Sequence, residues 1–219
     1  MNPSLNQAQT KEKAGHALQK KIFVAVLGML ILVCSNTNKP VTVFMIGDST
    51  MANKVEKAFP ENGWGMALGE LLQSNALVHN VAQNGRSSKS FIAEGRWDSV
   101  RNKLAKGDFV IIQFGHNDSK PDSTRRTDPQ TTYKENLRRF ITETRAKGGN
   151  PILCTSIVRR SFGKDGKLTD THGGYPQAMR EVAHELNVPL VDLQKLTEEA
   201  VNKRGEEAFE KVVYGFESR

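Results

Sequence analysis

Phe109-Val110-Ile111-Ile112-Gln113-Phe114 is the most apolar of the strand-like runs in the body of the chain, and Gly115 follows it directly. An uninterrupted apolar run suits a parallel strand covered on both faces, whereas a half-exposed strand would alternate. Residues 41–46, 76–82, 151–157 and 188–193 share this strand character. Between the runs, apolar residues recur at helical spacing in residues 64–72, 97–105, 133–147 and 176–186, and again from residue 193. Trp97, Val100, Leu104 and Ala105 share one such face, and Gly148-Gly149 ends the helix before it. Strands alternating with helices at this spacing predict an α/β fold with a central five-stranded parallel sheet. A chain of 219 residues is long enough for one domain with a full core.

In such sheets the functional groups lie outside the carboxyl ends of the strands. The loops there are residues 47–50, 83–88, 115–118 and 158–174. In the first, Val43-Phe44-Met45-Ile46 runs into Gly47-Asp48-Ser49-Thr50. A strand followed by a glycine turn is a rigid mount for a nucleophile, here Ser49. On its own, Asp48-Ser49-Thr50 reads equally well as a helix N-cap cluster. An ester hydrolase needs a nucleophile, a base and donors for the developing oxyanion. Ser49 suits the first role. Its own N–H, the N–H of Gly85 and the side chain of Asn117 suit the last.

Gly47-Asp48-Ser49, Gly85 in Asn84-Gly85-Arg86-Ser87, and Gly115-His116-Asn117-Asp118 resemble the first three sequence blocks of the SGNH (GDSL-like) hydrolase superfamily. Ile46-Gly47-Asp48-Ser49-Thr50, Asn84-Gly85-Arg86-Ser87-Ser88 and Gln113-Phe114-Gly115-His116-Asn117-Asp118 are similar to its rhamnogalacturonan acetylesterase branch. So is Thr169-Asp170-Thr171-His172-Gly173-Gly174-Tyr175-Pro176, and the likeness runs over about residues 41–210. The resemblance implies a three-layer, flavodoxin-like α/β/α fold. It implies that Ser49 attacks an acetyl ester on a pectic polysaccharide, with its own N–H, Gly85 and Asn117 holding the oxyanion. Neither a metal nor an organic cofactor is implied, and the implied partner is an acetylated polysaccharide or oligosaccharide.

The family's last block, Asp-x-x-His, supplies the base and its orienting acid. No such pattern follows Asp192, and no histidine follows His184. The expectation is therefore a hydrolase domain over residues 41–219 that is incomplete at its C-terminus and lacks the final helix. Its activity should be weak or absent, because a serine hydroxyl must lose its proton as it attacks. Oxyanion donors alone leave a residual of about 10³–10⁴ over water. The missing helix also predicts an exposed apolar patch on one sheet face. A non-catalytic carbohydrate-binding protein of the same fold is the alternative.

Other side chains carry weaker signals. Asp48, beside the nucleophile, reads as a structural hydrogen-bonding group. His116 shares a loop with Asn117 and is expected to face away from it, as a structural or substrate-contacting residue. His172 reads as a loop residue near substrate. Arg86, Arg159 and Arg160 suit acidic sugars or a solvated surface equally. Cys154, at the end of an apolar run, reads as a small buried residue.

The first 34 residues differ from the rest. A polar stretch leads to Lys20-Lys21 and then to an uncharged apolar run over residues 22–33. That run is short for a membrane span, which needs about 20 residues, and it matches the apolar core of a secretory signal. Leu32-Val33-Cys34-Ser35 resembles a lipoprotein cleavage site, although Val33 is larger than the residue usual there. Residues 1–34 are expected to be a leader and 35–40 a linker, with export to the periplasm or beyond. Lipid anchoring through Cys34 is the lesser reading. Net charge is +7, of which the leader holds +3. No Lys/Arg run with interleaved aromatics occurs, which argues against nucleic-acid binding. The lack of any G-x-G-x-x-G or P-loop pattern argues against a nucleotide cradle, and G-x-S-x-G is also missing. A monomer is expected.

Overall fold

A computed structural model describes residues 40–58, 61–72, 76–159 and 161–214. Residues 1–39, which include the expected leader and Cys34, and Arg160 lie outside them. The described residues fall in one compact unit, Pro40–Arg219.

Five strands form one sheet: β1 (Val41–Gly47), β2 (Ala76–Asn80), β3 (Phe109–Gln113), β4 (Asn150–Cys154) and β5 (Leu190–Val191). All are parallel, in the order β2-β1-β3-β4-β5. The helices are α1 (Gly65–Leu71), α2 (Ser88–Ala93), α3 (Arg96–Arg101), α4 (Thr132–Ala146), α5 (Tyr175–Glu185) and α6 (Leu193–Tyr214). The chain leaves β1 toward β2 on one side and later returns to lay β3 on the other side. The switch point therefore falls between β1 and β3, where Gly47 pairs with Gln113.

The two sheet faces are buried unequally. Phe44, Ile46, Val110, Ile112 and Leu153 pack under α2 to α5, together with Phe91, Trp97, Phe140, Met179 and Val182. Phe140 anchors this layer: its ring centroid lies 5.1 Å from that of Trp97, edge-on, and 5.6 Å from that of Phe114, stacked. α4 fits because Tyr133, Leu137, Phe140, Ile141 and Thr144 share one buried face. On the opposite face Val43, Met45, Met51 and Ala52 are buried with Trp64 and Leu68 against them, while Phe109 and Ile111 remain partly buried.

Several expected boundaries move. α2 is not among the expected helices and begins at the last residue of the expected loop 83–88; Ser87 and Ser90 cap it reciprocally, a serine taking the place usually held by Glu or Gln. The helix expected over residues 97–105 stops at Arg101, and two turns carry Leu104 back to the core. β5 shrinks to two residues. Pro189 has no N–H to give the ladder, and Asp192 turns away to meet Arg180 at 2.8 Å. Cys154 is buried and free, with burial pushing its thiol up to about 12.

Candidate active site

β1 delivers Gly47 to the switch point. A methyl group there would lie 2.8 Å from the Gln113 carbonyl oxygen and 3.0 Å from Met51 Sδ. The glycine is needed because two strands and the following turn meet too closely for a side chain. The turn then closes on itself. Met51 and Ala52 N–H donate to the Asp48 carbonyl at 3.2 and 3.0 Å. Asp48 Oδ1 accepts from Thr50 N–H at 2.9 Å and from Thr50 Oγ1 at 2.8 Å. These bonds clasp the residues on both sides of Ser49 and leave Ser49 at the bend.

A second set of contacts fixes the turn from behind. Trp64 Nε1 donates to Gln113 Oε1 at 2.8 Å, and Trp64 N–H donates to the Thr50 carbonyl at 3.0 Å. Thr50 Oγ1 also lies 3.3 Å from Gln113 Oε1. Its single proton is better placed for Asp48, the shorter contact.

Ser49 is half-buried, and neither its hydroxyl nor its N–H bonds to any described residue. Asp48 Oδ2 is buried with no hydrogen-bond partner among the described residues. Burial pushes this carboxyl up to about 6, against the Thr50 bonds and the charges of Arg159 and Lys54.

The loop after β2 is tied to the same corner, because Gln83 N–H donates to the Gly47 carbonyl at 3.0 Å. Gly85 follows at φ 76°, a backbone region that disfavours side chains, and nothing lies within 4 Å of where its Cβ would be. Its N–H bonds to no described residue. Asn117, from the loop after β3, donates one amide hydrogen to the Arg86 carbonyl at 3.0 Å. The other amide hydrogen remains for a ligand. The three expected oxyanion groups thus arise at neighbouring strand ends, two of them with no internal partner among the described residues.

Asp118 holds this corner together from below. Its carboxylate accepts from Ser88 N–H at 3.1 Å, Ser88 Oγ at 2.5 Å, Gly115 N–H at 3.1 Å and Thr127 Oγ1 at 3.1 Å. Burial nonetheless pushes it up to about 6. Tyr175 Oη closes the cage by donating toward the carbonyls of Asp118 and Thr127, at 2.8 and 2.5 Å.

The two histidines meet each other. His172 Nε2 lies 2.8 Å from His116 Nδ1, and both rings are buried. Burial, reinforced by the Arg159 charge, depresses His116 to about 3 and His172 to about 4, so both are neutral. His116 Nε2 is buried with no hydrogen-bond partner among the described residues. Arg159 binds the two loops through the carbonyls of His116, at 2.7 Å, and Thr171, at 2.5 Å. Arg86 turns outward, its Nε 3.0 Å from Glu94 Oε2. No cluster of three His, Cys, Asp or Glu groups among the described residues is placed to hold a metal.

Sequence reasoning gave Trp64, Gln113, Ser88 and Tyr175 no part in holding the site, although all but Trp64 stand in the quoted blocks. Their partners lie 30 to 57 residues away along the chain, and no local spacing reports such pairs.

A serine turn, a glycine loop and an amide loop at the switch point of a parallel sheet supply the nucleophile and oxyanion donors that a carboxylic ester hydrolase needs. Residues 45–212 match the family model described as GDSL-like Lipase/Acylhydrolase. The chain belongs to that family. It is 38% identical to the rhamnogalacturonan acetylesterase RhgT of Bacillus subtilis (strain 168), over 82% of this chain and 76% of the relative. It is 36% identical to the probable rhamnogalacturonan acetylesterase YesY of the same strain, over 75% of this chain and 76% of the relative. The crystal structure of YxiM from Bacillus subtilis superposes with a TM-score of 0.70 at 26% identity. That match covers 78% of this chain and about half, 48%, of YxiM.

Proposed function

We propose that the chain is a carbohydrate acetylesterase acting on an acetylated pectic polysaccharide of the rhamnogalacturonan type. The observation that carries this reading is the group of Ser49 Oγ, Ser49 N–H and Gly85 N–H, none bonded to a described residue, beside an Asn117 amide with one hydrogen to spare. The names of RhgT and YesY support the substrate class. In the reaction Ser49 Oγ bonds to the acetyl carbon and gives its proton to a base. The carbonyl oxygen becomes an oxyanion held by the Ser49 and Gly85 N–H groups and Asn117. The bond between the acetyl carbon and the sugar oxygen then breaks, the leaving sugar oxygen takes the proton to become a hydroxyl, and water attacks the acetyl-serine to release acetate and restore the Ser49 hydroxyl. No described residue stands at Ser49 Oγ as a base, so residues 1–219 are expected to turn over slowly. That gap is also what favours a second reading, a carbohydrate-binding protein without turnover.

Acetate release from acetylated rhamnogalacturonan and p-nitrophenyl acetate hydrolysis, each compared with Ser49→Ala, test the reading. A small rate that vanishes in the variant supports the esterase. Equal, clearly enzymatic rates would remove Ser49 from the mechanism, and binding without any Ser49-dependent rate would favour the second reading. Export is part of the proposal, supported by the Lys20-Lys21 flank and the apolar run of residues 22–33. Recovery of the uncleaved chain from the cytosol would contradict it.

A further inference from the structure

A cleft of about 720 Å³ opens beside the candidate site, and Lys89, Ser119, Arg126, Asp128, Thr171 and His172 are among its lining residues. It draws on the segments that carry the candidate site: Lys89 lies four residues after Gly85, Ser119 lies two after Asn117 and donates to the His116 carbonyl, and His172 packs on His116. Its cations differ from the arginines that the sequence singles out. Arg86 is paired with Glu94, and Arg159 is fixed on two carbonyls. Arg126 is exposed, and its guanidinium forms no hydrogen bond or ion pair with any described residue. Lys89 Nζ gives one hydrogen to the Ser123 carbonyl at 2.6 Å, which orients the ammonium and leaves two donors.

The one carboxylate on the lining, Asp128, offsets one of these two charges and leaves the other. Asp128 feels the Arg126 charge without forming an ion pair, and its Oδ1 already accepts from Gln130 and Thr131 N–H at 2.8 and 3.0 Å. Ser119 and Thr171 add polar groups suited to hydroxyls. A fork of five N–H donors and a compact ammonium on one polar cleft match a carboxylate carried on a sugar ring.

We propose that this cleft is a subsite for the carboxylate of a uronic acid, with Arg126 and Lys89 as its contacts, next to the residue that carries the ester. The inference rests on the carbohydrate reading above and specifies an acidic sugar as the neighbour of the scissile ester.

The test is calorimetric titration of the full chain with trigalacturonic acid and, separately, with neutral galactotriose. The acidic sugar should bind more tightly, and added salt should weaken it. Arg126→Gln should weaken trigalacturonate by about tenfold, and the R126Q/K89Q double variant by more. Arg125→Gln, which breaks the exterior pair with Asp122 and lies outside the cleft, should change nothing. Unchanged binding in the double variant, an equal loss in Arg125→Gln, or no preference for the acidic sugar would each overturn the subsite. Ser49→Ala separates the two ideas. If it keeps trigalacturonate binding while no Ser49-dependent hydrolysis exists, the esterase fails and the subsite stands. The reverse pattern removes the subsite alone.

Discussion

Replacing Asp118 with alanine should damage the fold more than its loop position suggests. Its side chain is the acceptor for two backbone N–H groups, of Ser88 and Gly115, and two hydroxyls, of Ser88 and Thr127. The hydroxyls can rotate, and Asn136 Nδ2 already donates to Ser88 Oγ at 3.0 Å, which satisfies that oxygen without accepting its proton. The N–H groups cannot rotate, and a buried unpaired donor costs about 1–3 kcal/mol each. The two together cost about 2–6 kcal/mol. Against this, the variant removes a buried charge whose carboxyl burial holds at about 6 instead of 3.8, the bonds from Ser88 and Thr127 included. That offset confines the expected loss to the lower part of the range, about 2–4 kcal/mol. With a urea slope of about 2 kcal/mol per M, the midpoint should fall by about 1–2 M. Far-UV circular dichroism during urea unfolding reads this directly. Asp118→Asn keeps one acceptor oxygen and sheds the charge, so it should lose less than half as much. A loss below about 1 kcal/mol in Asp118→Ala would refute the cage.

Three further outcomes follow from the site. Asn117→Ala should cut any Ser49-dependent acetate release by about 10²–10³, toward the Ser49→Ala background. Gly47→Ala should destabilise more than Gly85→Ala, because its methyl group meets a backbone oxygen at 2.8 Å while Gly85 faces open space and bears only its φ of 76°; thermal melting should show about 1 kcal/mol for the latter. The buried groups should oppose one another in acid. His116 and His172 are depressed to about 3 and 4, so as pH falls below 6.5 the unfolded chain takes up protons that the folded chain refuses, and stability is lost. Asp48 and Asp118 are raised to about 6, so the folded chain takes up protons first, and stability is gained between pH 6 and 3.8. Stability should decline from pH 6.5 to 6 and then change little down to about 4. In Asp48→Asn the same span should slope downward by about 1.4 kcal/mol per pH unit. Histidine resonances of the pair that titrate near 6.5 would contradict this account.

Much of the frame was legible because it depends on local patterns. An apolar run such as residues 109–114 can be stable only if both faces are covered, and the face of α4 follows from residues three and four apart. Boundaries were less legible where a side chain competes for the backbone, as Asp192 does after β5 and Ser87 before α2. The candidate site blocks could be read as residue types in order. The partners of those residues could not, since Asp118 reaches Ser88 thirty positions away.

By itself the sequence determined the alternation of strands and helices, and the presence of a serine, a glycine and an asparagine just past three strand ends. Those are properties of short stretches, decided by periodicity and turn chemistry. Tertiary structure decided the strand order that makes Gly47 and Gln113 neighbours, and with it the meeting of the three loops. It also decided which charges are spoken for: Arg86 by Glu94, Arg159 by two carbonyls, and Arg126 by no described residue. The reason is that an arginine's availability depends on what lies within a few ångströms, and chain packing, not spacing along the chain, brings those groups there.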